Sequence, residues 1–436
     1  MNMRLLRHII RFEAKMYAAD KVVWTMLLLL VAVIGFSLYL GHERVEAQRD
    51  RIAGLQEEDR QFYAGKYEQL REIEAGAEFS GPWFQDPSNP LVLSAFRGAG
   101  RYVYLEPEPL ALIAAGASDI LPYYGRVTLV MSRPLRDNAL ENPFHQYLGR
   151  FDFAFVMTWL IPLIIIALSY NMLSREQELG TMKLLHAMPV SFQQILTGKV
   201  VFRFVLIAGA TLAATLLFLF LFGVRWSADV AVLLLAMLLY IGFWFLLSAL
   251  VNLAQKSSVF NAMSLTGLWI LFLVVMPAVF NLIAESVHPV PSRVVWINGQ
   301  RAIQQEVEAD REQLVQAFFA EHPLEVDEAD LPGYFEFWNN RLILTKTIAK
   351  KEEVLKETFD TQRSAQEALG SRLSLLSPAM LKNSFLVNLS GNGDARLRTL
   401  NDNMESFSAE WAAFFMPRFQ NLQAVAADEF NNFPVP

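Results

Sequence analysis

Residues 174–200, SREQELGTMKLLHAMPVSFQQILTGKV, set Arg175, Glu176, Glu178, Lys183, His186 and Lys199 on one short segment between two long apolar runs. Side chains of these types could cradle phosphate, ligate a metal or dock against another protein. Thr197-Gly198-Lys199-Val200 is the nearest approach to a phosphate cradle. It has no glycine at the upstream spacing and no hydroxyl after the lysine, so it cannot wrap phosphates around Mg²⁺. The chain's six histidines are scattered, and neither HExxH nor GxSxG occurs. The absence of cysteine removes thiol catalysis, disulfides and thiolate metal sites. The chain is therefore expected to be non-catalytic and to hold no cofactor and no metal of its own.

Docking remains. Ser174 and Gln177 have the spacing of a capping box, and Leu179, Met182, Leu185 and Met188 recur at helical spacing as an apolar stripe. Pro189 ends that helix, and Ser191 can cap the next, which leads through FQQILTGKVVF into the following apolar run. An exposed helix of this kind fits a groove on a partner, with apolar anchors and charges that set register. The same pattern suits an interfacial hairpin that merely joins two runs.

The elements that must position this segment are membrane-length helices. The chain has 436 residues, of which 53% are hydrophobic and only 19% charged, with a mean hydropathy of +0.28. That is too apolar for a soluble protein of this size, and a net charge of −7 leaves no electrostatic footprint for nucleic acid. Five runs, 22–40, 153–173, 204–223, 230–252 and 260–284, contain no Asp, Glu, Lys, Arg or His and have the length that a hydrocarbon core requires. Arg4, Arg7, Arg11, Lys15 and Lys21, then Arg175, Lys183, Lys199 and Arg203, then Lys256, cluster at one side of these runs; the opposite short loop holds only Arg225. The distribution of basic residues puts the first group in the cytoplasm. The resulting division is a cytoplasmic interfacial helix (1–20), spans at 21–41, 151–173, 204–223, 229–252 and 259–285, a cytoplasmic loop at 174–203, and extracytoplasmic segments at 42–150 and 286–436.

In the first segment Leu5, Leu6, Ile9, Ile10 and Phe12 share a face opposite basic residues, as in a helix lying in the membrane interface. The outer segments read as mainly helical. A charged helix should continue the first span, and others are expected at 299–321, at 336–369 and from about 395 to Trp411, with Ser377 as an N-cap; β pattern is visible only around RVTLVMS. The two outer segments are expected to pack together. Trp83, Phe84, Tyr102, Tyr123 and Trp338 could line a groove there. Because no run carries Asp, Glu, Lys, Arg or His and the interior offers only Asn, Ser, Thr and Tyr, an ion-driven mechanism is disfavoured, and energy should enter from another polypeptide.

Residues 176–199 resemble the first cytoplasmic loop of ABC-2 type exporter permeases, whose pattern E-x-E-x-G-T-(M/L)-x-x-L-x-x-x-P-V-S, then G-K, is met by Glu176, Glu178, Gly180, Thr181, Met182, Leu185, Pro189, Val190, Ser191, Gly198 and Lys199. The resemblance implies an all-α membrane protein: an ABC-2 exporter-type bundle with a large, mainly helical extracytoplasmic domain in two segments. It implies a coupling interface to an ATPase at Arg175, Glu176, Glu178, Leu179, Gly180, Thr181, Met182, Leu185, Pro189, Val190 and Ser191. It further implies a second permease, the same or similar, two ATPase subunits carrying ATP and Mg, and a bacterial inner membrane. Residues 107–122 (PEPLALIAAGASDILP), with LSPAM and LSGNGDARLRTLNDNMESFSAEW between 376 and 411, resemble the subgroup with a DUF3526-like outer domain. That pattern has six spans, so either a sixth lies beyond this sequence or the chain departs from it. The competing expectation is a non-transporting scaffold or sensor that binds an envelope partner through its helical outer domain; such a protein has no need of a groove-docking loop.

Overall fold

Asp20 separates two helices. Its carboxylate accepts from the Val22 amide at 2.9 Å and caps a helix of 54 residues. That length corresponds to about 80 Å, so the helix carries its apolar first third into a charged extension without interruption. The computed structural model describes residues 3–96, 98–116, 118, 121–135, 151–181, 192–321, 331–393 and 395–436. In chain order the elements are α1 (Met3–Ala19), α2 (Lys21–Glu74), α3 (Pro90–Ser94), strands β1 (Arg101–Tyr104), β2 (Tyr124–Val127) and β3 (Ser132–Leu135), and α4 (Phe153–Phe155). A π-helical turn (Val156–Leu160) joins α4 to α5 (Ile161–Ser169), and α6 (Ser174–Glu178), α7 (Phe192–Leu221), α8 (Ala228–Leu253) and α9 (Ser258–Ile270) follow. A second π turn (Leu271–Val275) leads into α10 (Met276–Val287), and α11 (Arg293–Ala309), α12 (Arg311–Glu321), α13 (Phe335–Ser374), α14 (Pro378–Leu389) and α15 (Ala395–Gln420) complete the chain.

Among the described residues, five stretches are long and apolar enough to cross a membrane: Lys21–Glu74, Phe153–Glu178, Gln193–Leu221, Ala228–Leu253 and Ser258–Val287. Within the bundle α2 packs on α7, α7 on α8, α8 on α5, and α5 on α9, while α1 lies along α7. Large apolar side chains such as Leu28, Phe220 and Met263 point away from the bundle and are more than two-thirds exposed, which suits helices whose outer faces meet lipid rather than water. The end carrying residues 174–181 is the loop end; the opposite one is the far end.

At the far end the two outer segments share one core. Tyr63 of α2, Leu93 of α3, Val103 and Val127 of the sheet, and Leu400, Trp411 and Phe415 of α15 are buried together. The sheet is antiparallel in the order β1-β2-β3, with Arg101 opposite Val127 and Val127 opposite Ser132. Each strand has only four residues, too few for alternation to stand out in sequence. The helix expected at 299–321 is divided at Asp310 into α11 and α12. The last helix continues past Trp411 to Gln420 and carries Phe415 and Phe419 into the interior. The five aromatics do not gather in one groove. Trp83 and Trp338 meet through Phe96, with Phe84 against Trp83, whereas Tyr102 and Tyr123 both pack on Tyr124.

Among the described residues, parts of the outer segments belong to the core of the bundle: Val45 of α2, residues 110–114, and Ala379 and Leu386 of α14. The approach of residues 110–114 is possible because α2 has glycine at position 41. A Cβ there would lie 1.9 Å from the Leu112 carbonyl oxygen.

Candidate coupling node and its far-end counterpart

Among the eleven expected interface residues, Met182, Leu185, Pro189, Val190 and Ser191 lie outside the described residues; the other six sit on or just after α6. Ser174 is not a cap. The turn before it already supplies carbonyl partners, with Arg175 N bonding Asn171 O, and the Ser174 hydroxyl meets that of Ser258 at 2.7 Å. The helix ends where Gly180, at φ +74°, enters the left-handed region, a common glycine stop. Arg175, Glu178, Leu179 and Gly180 are exposed, and Leu179 offers 65% of its surface. Glu178 also has an internal partner: its carboxylate accepts from the Ser258 amide at 2.8 Å, at the positive end of the α9 dipole. The Thr181 hydroxyl donates to the Glu176 carbonyl at 3.2 Å and also to its carboxylate.

Glu176 leads inward. Lys199, four residues before Arg203 on α7 and so on the same face, puts its Nζ 3.1 Å from Glu176 Oε1 and 3.4 Å from Glu13 Oε1, and donates to Met172 O at 3.0 Å. Arg203 Nη2 is 3.3 Å from Glu13 Oε2, while its Nη1 donates to Leu168 O at 2.6 Å. The side chains of Glu13, Arg203 and Lys199 are at most 8% exposed. The face that α1 turns inward is therefore Ile9, Glu13 and Tyr17, and Phe12, expected on the apolar face, is 62% exposed. Tyr17 donates to the same Leu168 carbonyl at 3.1 Å, and burial pushes its hydroxyl up to about 12, so it remains a donor at physiological pH.

A neutral network extends the node across the loop end. Asn252 of α8 donates to Ser169 O at 3.1 Å and accepts from the Leu173 amide. Asn261 of α9 donates to Tyr170 O and to Asn252 Oδ1, and Ser248 pairs with the Ser169 hydroxyl at 2.7 Å. The stretch entering the loop is thus fixed to α1, α7, α8 and α9 together.

The far end has its own node, built on two prolines. Pro162 and Pro277 each stand two residues after a π turn. A proline has no amide to give to the carbonyl four residues back, and its ring crowds that oxygen; π turns take up such mismatches. Here neighbours satisfy the freed carbonyls, as a membrane interior demands. Tyr240 of α8 donates to Thr158 O, four residues before Pro162, at 3.0 Å. Ser377, the N-cap of α14, donates at 2.9 Å to Phe272 O inside the second π turn, five residues before Pro277 and so its acceptor in the π register rather than the α register. Lys382 of α14 donates to Thr158 Oγ1 at 2.9 Å and Ala154 O at 3.3 Å, and lies 5.2 Å from the Tyr240 ring. Helix α14, expected outside, is wedged among α8 and both π turns. The bundle accordingly holds buried Lys, Arg and Glu side chains, although no apolar run contains Asp, Glu, Lys, Arg or His.

The sequence marked Lys199 and Glu176 but not the third member, Glu13. The one available signal was Glu13, the lone acid of α1 amid four basic residues. Nothing marked Lys382, which reads as an ordinary surface lysine. The family model described as ABC-2 family transporter protein matches residues 7–414. No curated protein and no solved structure matches the chain.

Proposed function

The chain belongs to the ABC-2 family of transporter proteins, and we propose that it is a permease subunit whose loop, around residues 174–191, receives mechanical work from a separate ATPase. The observation that carries this reading is the buried Lys199, which joins Glu176 at the root of the loop to Glu13 of α1. A buried charge held by several partners resists displacement on its own. A push on α6 therefore moves α1 and α7 with it, while Glu178, Asn252 and Asn261 carry α9 and α8 along. ATP and Mg act on the partner ATPase. The working assembly is two permeases, identical or similar, on two ATPase subunits in a bacterial inner membrane. The basic residues flanking the spans support a cytoplasmic loop end and a periplasmic far end, and the outer domain is of the DUF3526-like kind.

Motion reaching the far end is either export between two permeases or force delivered to an envelope partner. The α14 wedge favours the second, because it fastens the outer domain to two spans at their π turns. The test is to purify the chain with its P-loop ATPase and measure association and stimulated ATP hydrolysis. Leu179→Glu and Gly180→Trp alter exposed positions and should weaken association; Glu178→Lys is less clean because it also uncaps α9. Lys199→Met should preserve association and lose stimulation. If neither exposed substitution changes either quantity, the scaffold reading replaces this one.

A further inference from the structure

Beside the far ends of α2 and α7 is a cavity of about 260 Å³, and its lining includes His42, Arg49, Leu112, Phe222, Val224 and Arg225. We propose that it binds the phosphate-bearing headgroup of an anionic phospholipid. The inference needs the apolar helices to sit in a bilayer but does not depend on coupling to an ATPase.

Depth is the first argument. The apolar run of α2 ends at Leu40, two residues before His42, and Arg49 lies about 13 Å further along the helix at 1.5 Å per residue. Phe222 to Arg225 directly follow the last turn of α7. The cavity thus spans the level where hydrocarbon gives way to headgroups. Tyr39 and Trp226, which are 46% and 69% exposed beside it, are of the type that marks this boundary.

Chemistry is the second argument. Among the described residues no carboxylate lines the cavity, and two guanidinium groups and an imidazole do. Arg225 has no hydrogen-bond or ion-pair partner among the described residues. Arg49 is engaged through Nη1 by Glu46 at 2.6 Å, on an exposed part of α2. Guanidinium pairs are well matched to phosphate oxygens. The remaining wall is apolar, with His42 stacked on Phe222 at 4.8 Å. The volume is below the roughly 300–1,000 Å³ of sites that enclose whole drug-sized ligands, which fits a phosphoglycerol head. Its acyl chains would run along the lipid-facing sides of Phe36, Leu217 and Phe220, all more than half exposed.

The test uses the full chain in detergent, exposed to equal amounts of phosphatidylglycerol and phosphatidylcholine and examined by native mass spectrometry. Phosphatidylglycerol should be retained in preference, and the Arg49→Gln and Arg225→Gln variants should each weaken its retention about fivefold, the effect of one basic residue near a membrane surface. Circular dichroism should match the parent, because both side chains lie at the surface. Equal retention of the two lipids, or variants that retain phosphatidylglycerol like the parent, would overturn the proposal. Displacement of the lipid by millimolar inorganic phosphate would likewise overturn it, identifying a free-phosphate site.

Discussion

Replacing Glu13 by Gln removes the carboxylate that Lys199 and Arg203 share. At 3.3–3.4 Å each pair is worth about 5 kcal/mol at an effective dielectric of 20, before desolvation is subtracted. Mutation of one member of a buried pair costs about 3–5 kcal/mol, because the other is left charged and unpaired. The lower figure applies here, since Glu13 Oε1 accepts no hydrogen bond and Arg203 keeps Leu168 O. Glu176→Gln differs. That side chain is 19% exposed and touches only one of the cations, which retains Glu13 and Met172 O, so a cost of about 1 kcal/mol is expected. Thermal unfolding of the detergent-purified protein should place Glu13→Gln well below Glu176→Gln, with a difference of about 2 kcal/mol. In Lys199→Met the cost of Glu176→Gln should largely vanish, as for interacting residues in a double-mutant cycle. Stimulated ATP hydrolysis should fall for Glu176→Gln although its fold persists. Equal unfolding midpoints for the two variants would mean that Glu13 is solvated and that α1 is not part of the linkage.

Other substitutions probe the frame around the node. Gly41→Ala drives a methyl into the Leu112 carbonyl and should destabilise by about 1–3 kcal/mol, while Gly54→Ala on the same helix, with nothing within 4 Å of its Cβ, should stabilise by about 0.5–1 kcal/mol; unfolding midpoints decide both. The Arg418 hydrogen bond, at 2.7 Å, holds the Glu429 carboxyl below the usual carboxylate range. The folded value is therefore below the unfolded one, and the stabilisation is complete above the unfolded value and lost as pH falls through the folded value. Glu429→Gln should lower stability by at most about 1 kcal/mol at neutral pH, with the difference from the parent closing in acid. Lys382→Met keeps the volume of the wedge and should stay within about 1 kcal/mol of the parent. Lys382→Glu faces the Ala154 carbonyl with a carboxylate and should abolish accumulation in the membrane, read as yield on size exclusion.

What was legible in the sequence follows from the range of each signal. Apolar runs of membrane length are local, and each coincides with one of the five membrane-length stretches, the third overrunning its helix end at Leu221 by two residues. The charged continuation of α2 is also local, being free of proline from Lys21 to Glu74. Fastening between elements is not local. Arg203 and Glu13 are 190 residues apart, and Lys382 and Thr158 are 224 apart. Periodicity cannot show which helix face meets a buried base, so α1 read as purely amphipathic while Glu13 points inward. Ser174 and Gln177 satisfied a capping spacing, but Ser258 supplies the nearer partner for the hydroxyl. Pro162 and Pro277 went unmarked inside their apolar runs, and the hydroxyls of Tyr240 and Ser377 that make them tolerable come from other parts of the chain.

The second span is the element on which both nodes act. Helix α5 has nine residues, about 13 Å of rise, with Ser169 in the loop-end network and the π turn at its other end. A displacement of α6 is transmitted by α5 only as far as the first joint that yields. On the proposed coupling that joint would be the π turn, because Pro162 withholds the amide that would lock Thr158 O into the helix and Tyr240 takes its place. Pro162→Ala restores the donor and lets the intrahelical bond compete with Tyr240. The turn should then close into regular helix, stabilising the chain while stiffening the path to α14. Because the chain has no cysteine, spin labels on two introduced cysteines, one near Leu179 and one on α15, report the distance between the ends without background. In the parent this distance should change on ATP binding by the partner ATPase. In Pro162→Ala the change should shrink while the ATPase remains bound. An unchanged response in the variant would place the joint elsewhere and leave the π turn a packing accommodation.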